Sequence, residues 1–149
     1  MLSRFVRTPF LASLALLVGS GALAGTPAIE LVVPSFVFPG STTSYTHANA
    51  ISNNGITAGV FASSRTNAAG FMRMPNGKFG PPIVARQATQ TTAYGVNIAD
   101  IVSGTFFSNA DHGFFYGHGT FTQYDVAGAV HTNVTGINDA GDFCGFYFK

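Results

Sequence analysis

The sequence predicts an all-β protein built from about three tandem four-stranded units. Three observations carry this. A turn-forming block recurs twice along the chain, a second block recurs in phase with it, and no segment after Ala24 has the periodic apolar face of a helix. The first block reads Ile51-Ser52-Asn53-Asn54-Gly55-Ile56-Thr57-Ala58-Gly59, then Val96-Asn97-Ile98-Ala99-Asp100-Ile101-Val102-Ser103-Gly104, then Ile137-Asn138-Asp139-Ala140-Gly141-Asp142-Phe143-Cys144-Gly145. Each copy runs into an aromatic strand end at Phe61, at Phe106-Phe107 and at Phe146-Tyr147-Phe148. The second block pairs Gly70-Phe71 and Asn76-Gly77-Lys78-Phe79 with Gly113-Phe114 and His118-Gly119-Thr120-Phe121.

Ahead of the repeats, Arg4 and Arg7 precede an apolar stretch from Phe10 to Val18 and the small-residue end Ala22-Leu23-Ala24. This is the layout of a secretory signal peptide over residues 1–24, with cleavage after Ala24. The apolar run is shorter than the ~20 residues of a membrane span, so no stable membrane insertion is expected after cleavage. Residues 25–149 then form a single β-repeat domain, divided roughly into units 29–71, 72–114 and 115–149. The expected location is secreted, periplasmic or at the cell surface. Without Arg4 and Arg7, five basic residues face six acidic ones, a net charge of −1, and no Lys/Arg cluster remains to hold nucleic acid or an anionic membrane. The single cysteine, Cys144, has no partner for an internal disulfide, so packing and hydrogen bonds must hold the domain.

Within each unit the local chemistry reads as hairpins, because β-branched and aromatic runs are bounded by Asn, Asp and Gly. Asn138-Asp139-Ala140-Gly141 has the form of a type I turn closed by a left-handed glycine, the bulged three-residue hairpin loop. Asn53-Asn54-Gly55 offers the same chemistry, and Asp100 takes the glycine's place in the middle copy because a short polar side chain tolerates positive φ. Asn76-Gly77 and His118-Gly119 are the other expected tips. Strands are expected near 113–116, 120–126, 132–138 and 142–148, and the threonine-rich stretch 86–94 reads as loop and strand.

The run Asp111-His112-Gly113-Phe114-Phe115-Tyr116, the segment Gly119 to Ala129 and the hairpin Thr135-Gly136-Ile137-Asn138-Asp139-Ala140-Gly141-Asp142 resemble the HAF repeats of exported bacterial proteins. The resemblance covers roughly residues 36–149. Ala69 stands where the His of the His-small-Phe triplet would be, and Ala127 replaces the expected proline. The resemblance implies a propeller-like stack of four-stranded units and brings no catalytic residues with it. Propellers usually close with four to eight blades, so three units leave strand edges open. The chain is then a piece of a longer repeat protein, or assembles edge to edge, or closes as a pseudo-threefold trefoil-like barrel.

No catalytic, cofactor or metal site is assigned from the sequence, and no cofactor is implied. Asp111, His112 and His118 are the candidates for a rival reading as a small secreted hydrolase or lyase, against His112 as a repeat-signature side chain bonded to a neighbouring unit's backbone. Asn138, Asp139 and Asp142 offer oxygens to a cation but are wanted for the turn in any case. Cys144 aligns with Ala58 and Ser103, which reads as a small buried filler. Tyr45, Tyr94, Tyr116 and Tyr124 are candidates for a sugar- or peptide-binding groove against a role in the core. The expected function is non-catalytic: binding of a glycan or protein ligand, or self-association through strand edges.

Overall fold

The computed structural model describes residues 36–41, 45–64 and 66–149; the expected signal peptide at 1–24 lies outside them. All regular structure among the described residues is β: β1 (Thr46–Ile51), β2 (Thr57–Ala62), β3 (Ala68–Arg73), β4 (Gln90–Val96), β5 (Val102–Phe107), β6 (Asp111–Gly117), β7 (Thr120–Tyr124), β8 (His131–Ile137) and β9 (Phe143–Phe148). β1 to β7 form a seven-stranded mixed sheet in chain order, and β8 and β9 form a second, two-stranded sheet. Every neighbouring pair is antiparallel except β3 and β4, which meet in parallel at Ala68 and Gln90 alone. The seven-stranded sheet is thus an antiparallel meander of three strands, β1–β3, joined at one point to a meander of four, β4–β7. No closed barrel is present among the described residues, so the trefoil-like alternative is set aside. The strands group as 46–73, 90–124 and 131–148, a different phase from the division at 71 and 114.

Hairpins β1–β2, β4–β5 and β8–β9 share one geometry. In each a bulge interrupts the first strand, at Asn49, Tyr94 and Thr135, and the ladder resumes one residue later. In each the tip is closed by the same two bonds: Gly55 N to Ser52 O with Ser52 N to Ile56 O, Asp100 N to Asn97 O with Asn97 N to Ile101 O, and Gly141 N to Asn138 O with Asn138 N to Asp142 O. That is the type I turn with its left-handed third loop residue, and Gly55, Asp100 and Gly141 have φ of 83°, 61° and 89°. Gly77 at 87°, and His118 and Gly119 at 51° and 79°, complete the five expected tips. A Cβ on Gly141 would touch nothing within 4 Å, so a substitution there tests backbone strain by itself. Gly141→Val should destabilise by about 1 to 2 kcal/mol, read as a shift of the urea midpoint at unchanged slope.

The main core lies where the meanders pack together: Ile56, Ala58, Ile83, Ala85, Ala93, Val96, Val102, Phe106 and Phe114 are all buried. β5 (Val-Ser-Gly-Thr-Phe-Phe) is buried along five of its six residues, as is β2, because each is flanked by strands on both edges and covered on both faces. A second, aromatic cluster joins Phe38, stacked on Phe61 at 3.9 Å between ring centroids, to Phe71 and Phe79. β9 (Phe-Cys-Gly-Phe-Tyr-Phe) has the same place in its hairpin as β2 and β5, yet all six of its residues are exposed.

Candidate functional site

β9 is the strand whose surroundings differ most from its two counterparts. In β2 and β5 the glycine of the repeated block, Gly59 or Gly104, lies directly opposite an aromatic residue of the next strand, Phe71 or Phe114. Those rings lie so close that a Cβ on Gly59 would come within 2.9 Å of Phe71, and one on Gly104 within 2.7 Å of Phe114. Gly145 is the third member of this series, and no strand of the described residues pairs with that edge of β9. The carbonyls of Asp142 and Phe148 accept bonds from Asn138 N and Val130 N, so even-numbered residues direct their backbone groups toward β8. By alternation, Phe143, Gly145 and Tyr147 direct theirs outward. Phe146, Tyr147 and Phe148 expose 51%, 49% and 58% of their surface, so an open hydrogen-bonding edge coincides with an apolar one. Beside it a cavity of about 150 Å³ is lined by Tyr124, Val134, Phe143, Gly145 and Tyr147 among others.

Cys144 is exposed rather than a buried filler. Ala58 and Ser103 are fully buried because a third strand and its neighbours cover them, whereas no described strand covers β9 in that way. Its sulfur lies 3.9 Å from Thr135 Oγ1.

The structure separates the histidine candidates. His112 opens β6, stacked on Phe106 at 5.1 Å, with Nδ1 3.0 Å from Asp125 Oδ1. Gln123 Nε2 donates to the other oxygen of the same carboxylate at 2.6 Å and lies 3.1 Å from His112 Nδ1, while His112 Nε2 lies 3.3 Å from Asn109 Oδ1. His112 is therefore bonded within its own meander and not to a neighbouring unit's backbone. His118 sits at the exposed tip beyond the other end of β6, about 20 Å of extended strand away. Asp111 faces His131 instead: its backbone N–H lies 3.2 Å from His131 Nδ1, and its carboxylate lies at 3.2 Å from the same nitrogen. One nitrogen cannot accept and donate at once, so Nδ1 takes the backbone N–H when it carries no proton and donates to the carboxylate when it does.

The turn oxygens have a use that local sequence does not show. Asp139 Oδ1 accepts from Ile98 N at 3.0 Å and Oδ2 from Asn53 Nδ2 at 2.6 Å. Asn97 Nδ2 donates to Asn138 O at 3.1 Å, and Asn54 Nδ2 to Ile98 O at 3.3 Å. The three tips thus close a ring of hydrogen bonds at one end of the hairpins. Asn138 and Asp142 bond to each other, Asn138 Oδ1 accepting from Asp142 N at 2.8 Å. No group of three or more His, Cys, Asp or Glu side chains with metal-binding spacing occurs among the described residues.

Of the four tyrosines, Tyr116 packs against the main core and Tyr124 meets Phe143 at 5.0 Å beside β9. Tyr45 and Tyr94 share a larger cavity between β1 and β4. No protein-family model matches the chain, and no curated protein or solved structure shows significant similarity to it.

Proposed function

We propose that this chain is an exported, non-catalytic β-repeat protein of the HAF-repeat kind, its units propeller-like blades, that associates with a partner by strand addition at the edge of β9. The carrying observation is that no described strand lies opposite Gly145, where β3 and β6 lie opposite Gly59 and Gly104. The partner this edge fits is an extended strand with an aromatic residue after a glycine, as in Gly70-Phe71 and Gly113-Phe114. The blade reading is supported by the four-stranded antiparallel meander β4–β7 and by the three hairpins with the same bulge and tip. The export reading rests on residues 1–24. The rival, hydrolysis or lysis at Asp111, His112 and His118, needs converging groups, and His118 stands at the far end of β6 from the other two.

A labelled peptide copying residues 109–118 should bind the purified chain, with binding read by fluorescence anisotropy. A peptide carrying Phe114→Gly should not. Tyr147→Pro removes an outward N–H while sparing the ladder to β8, so it should abolish capture with the β spectrum intact. Equal binding by the Tyr147→Pro protein, or no capture together with a strict monomer by light scattering at high concentration, would overturn the reading.

A further inference from the structure

The three equivalent hairpins pack on one another in a single direction, and the series has two unlike ends. β4, the first strand of the second hairpin, lies against β2, and β8, the first strand of the third, lies against β5. Equivalent residues make both contacts. A Cβ on Gly70 would lie 3.6 Å from Ala93 N, and one on Gly113 within 2.7 Å of Val134 Cγ2, so each first strand rests on the glycine of a Gly-Phe pair. Past the bulge, a Cβ on Gly95 would come within 2.9 Å of Ile137 N and 3.1 Å of Gly136 Cα, so the end of β8 lies directly on the end of β4. Asn97 Nδ2 then donates to Asn138 O at 3.1 Å and ties the two tips together.

The leading face of this packing is exposed on the first hairpin. Ala93, Val96 and Val134 are buried, with 0%, 5% and 1% of their surface accessible, because each faces the hairpin before it. Their counterparts in β1 are Ala48, which is exposed, and Ile51, which exposes 67%. The trailing face is exposed on the third hairpin. Gly136, Ile137, Asn138, Asp142, Phe143 and Cys144 line an open recess of about 380 Å³. Their counterparts in the second hairpin run from Gly95 to Asn97 and from Ile101 to Ser103, and include the Gly95 on which Gly136 and Ile137 rest.

What fits the recess can be read from what the second hairpin receives in the same place. Gly136-Ile137-Asn138 brings a small residue over a glycine, a β-branched apolar side chain beside it and a carbonyl oxygen for an asparagine amide. Ala50-Ile51-Ser52, at the other end of the same molecule, offers the same three groups in the same order. Asn138 Nδ2 gives one hydrogen to Asp142 Oδ2 at 3.1 Å and has a second to give. We propose that copies of this chain associate head to tail, the first hairpin of one docking on the third hairpin of the next. Ile51 enters the recess, Ala50 lies over Gly136, and Asn138 Nδ2 donates to Ser52 O of the second copy. The two faces are unlike, so the contact is heterologous and gives a ring where its rotation closes. It goes beyond the strand-edge reading, because it does not use the outward backbone groups of Gly145 and Tyr147.

Sedimentation velocity of the purified chain over a concentration series tests this. A reversible oligomer should appear, and Ile51→Asp should weaken it at least tenfold, because a carboxylate would be buried without a partner. Ile51 is exposed in the single chain, so an unchanged far-ultraviolet spectrum and urea midpoint check that the variant folds. Tyr147→Pro, which blocks strand addition at β9, should leave the oligomer intact. Cys144 is the only cysteine and lines the recess, so its reaction with a thiol reagent should slow as the chain associates and recover in the Ile51→Asp protein. In a chain carrying Ile51→Cys, a short bismaleimide should join position 51 of one copy to Cys144 of another. Three results would overturn the proposal: a strict monomer at high concentration, an oligomer that Tyr147→Pro dissolves and Ile51→Asp does not, or cross-links between two copies of position 51 without any to Cys144. A monomer that still captures the 109–118 peptide would sink this contact and leave the strand-edge reading standing.

Discussion

Replacing Gly104 with valine is expected to destabilise the protein by about 3 to 5 kcal/mol, a large share of the roughly 5 to 15 kcal/mol that holds an ordinary domain folded. The reason is space rather than backbone freedom. A Cβ on Gly104 would run into the carbonyl oxygen of Thr92 on the neighbouring strand and come within 2.7 Å of the Phe114 ring. Thr92 is fixed by the β4–β5 ladder, where Ala93 pairs with Gly104 itself. Phe114 cannot swing aside, because its other face is stacked on Phe121 at 4.8 Å. Urea unfolding followed by tyrosine fluorescence and circular dichroism reads the loss. A Gly104→Val protein with the wild-type midpoint would show that β4, β5 and β6 are not packed in this register. Gly59→Val should behave alike, since Phe71 holds the same relation to it.

Phe114→Ala is the complementary loss, of volume rather than room, and should cost about 3 to 5 kcal/mol. The ring is fully buried and bridges Gly104 to Phe121 and the main core. Its neighbours belong to ladders on both sides and cannot close the hole, so the cavity persists. The variant's urea midpoint should fall at unchanged slope. Phe146→Ala on the uncovered strand serves as the control, with an expected change within about 0.5 kcal/mol for the monomer because its ring is already half exposed.

What the sequence disclosed is what short-range chemistry decides. All five tips lie where Asn, Asp, His and Gly placed them, and even the substitution of Asp100 for a glycine is matched by a φ of 61°. The all-β class and the equivalence of the three hairpins were legible for the same reason. The grouping of strands was not, because a periodic sequence can be divided at any phase, and the change of sheet between β7 and β8 depends on contacts between distant residues. Cys144 shows the same limit. Its alignment with Ala58 and Ser103 predicted burial, but burial there requires a covering strand that local sequence cannot report. The turn residues Asn53 and Asp139 were read as turn formers, and their side chains turn out to reach each other across 86 positions. Tyr45 and Tyr94 were two of four candidates, and only the packing of β1 beside β4 distinguishes them from Tyr116 and Tyr124.

The ring of hydrogen bonds at the three tips also sets an order of events in time. Each hairpin is local and can form within microseconds of its residues being available. The ring is not local: Asn97 reaches Asn138 across 41 positions, and Asn53 reaches Asp139 across 86. Closing longer loops adds little to the equilibrium cost, about 0.6 kcal/mol for each doubling of length, but it lengthens the search. A chain emerging from the ribosome can therefore pair β1 with β2 and β4 with β5 before the third hairpin is made, while the ring at their tips waits for Asp139. Docking of the third hairpin follows the formation of the other two, and Asp139 is the residue that ties its tip to both.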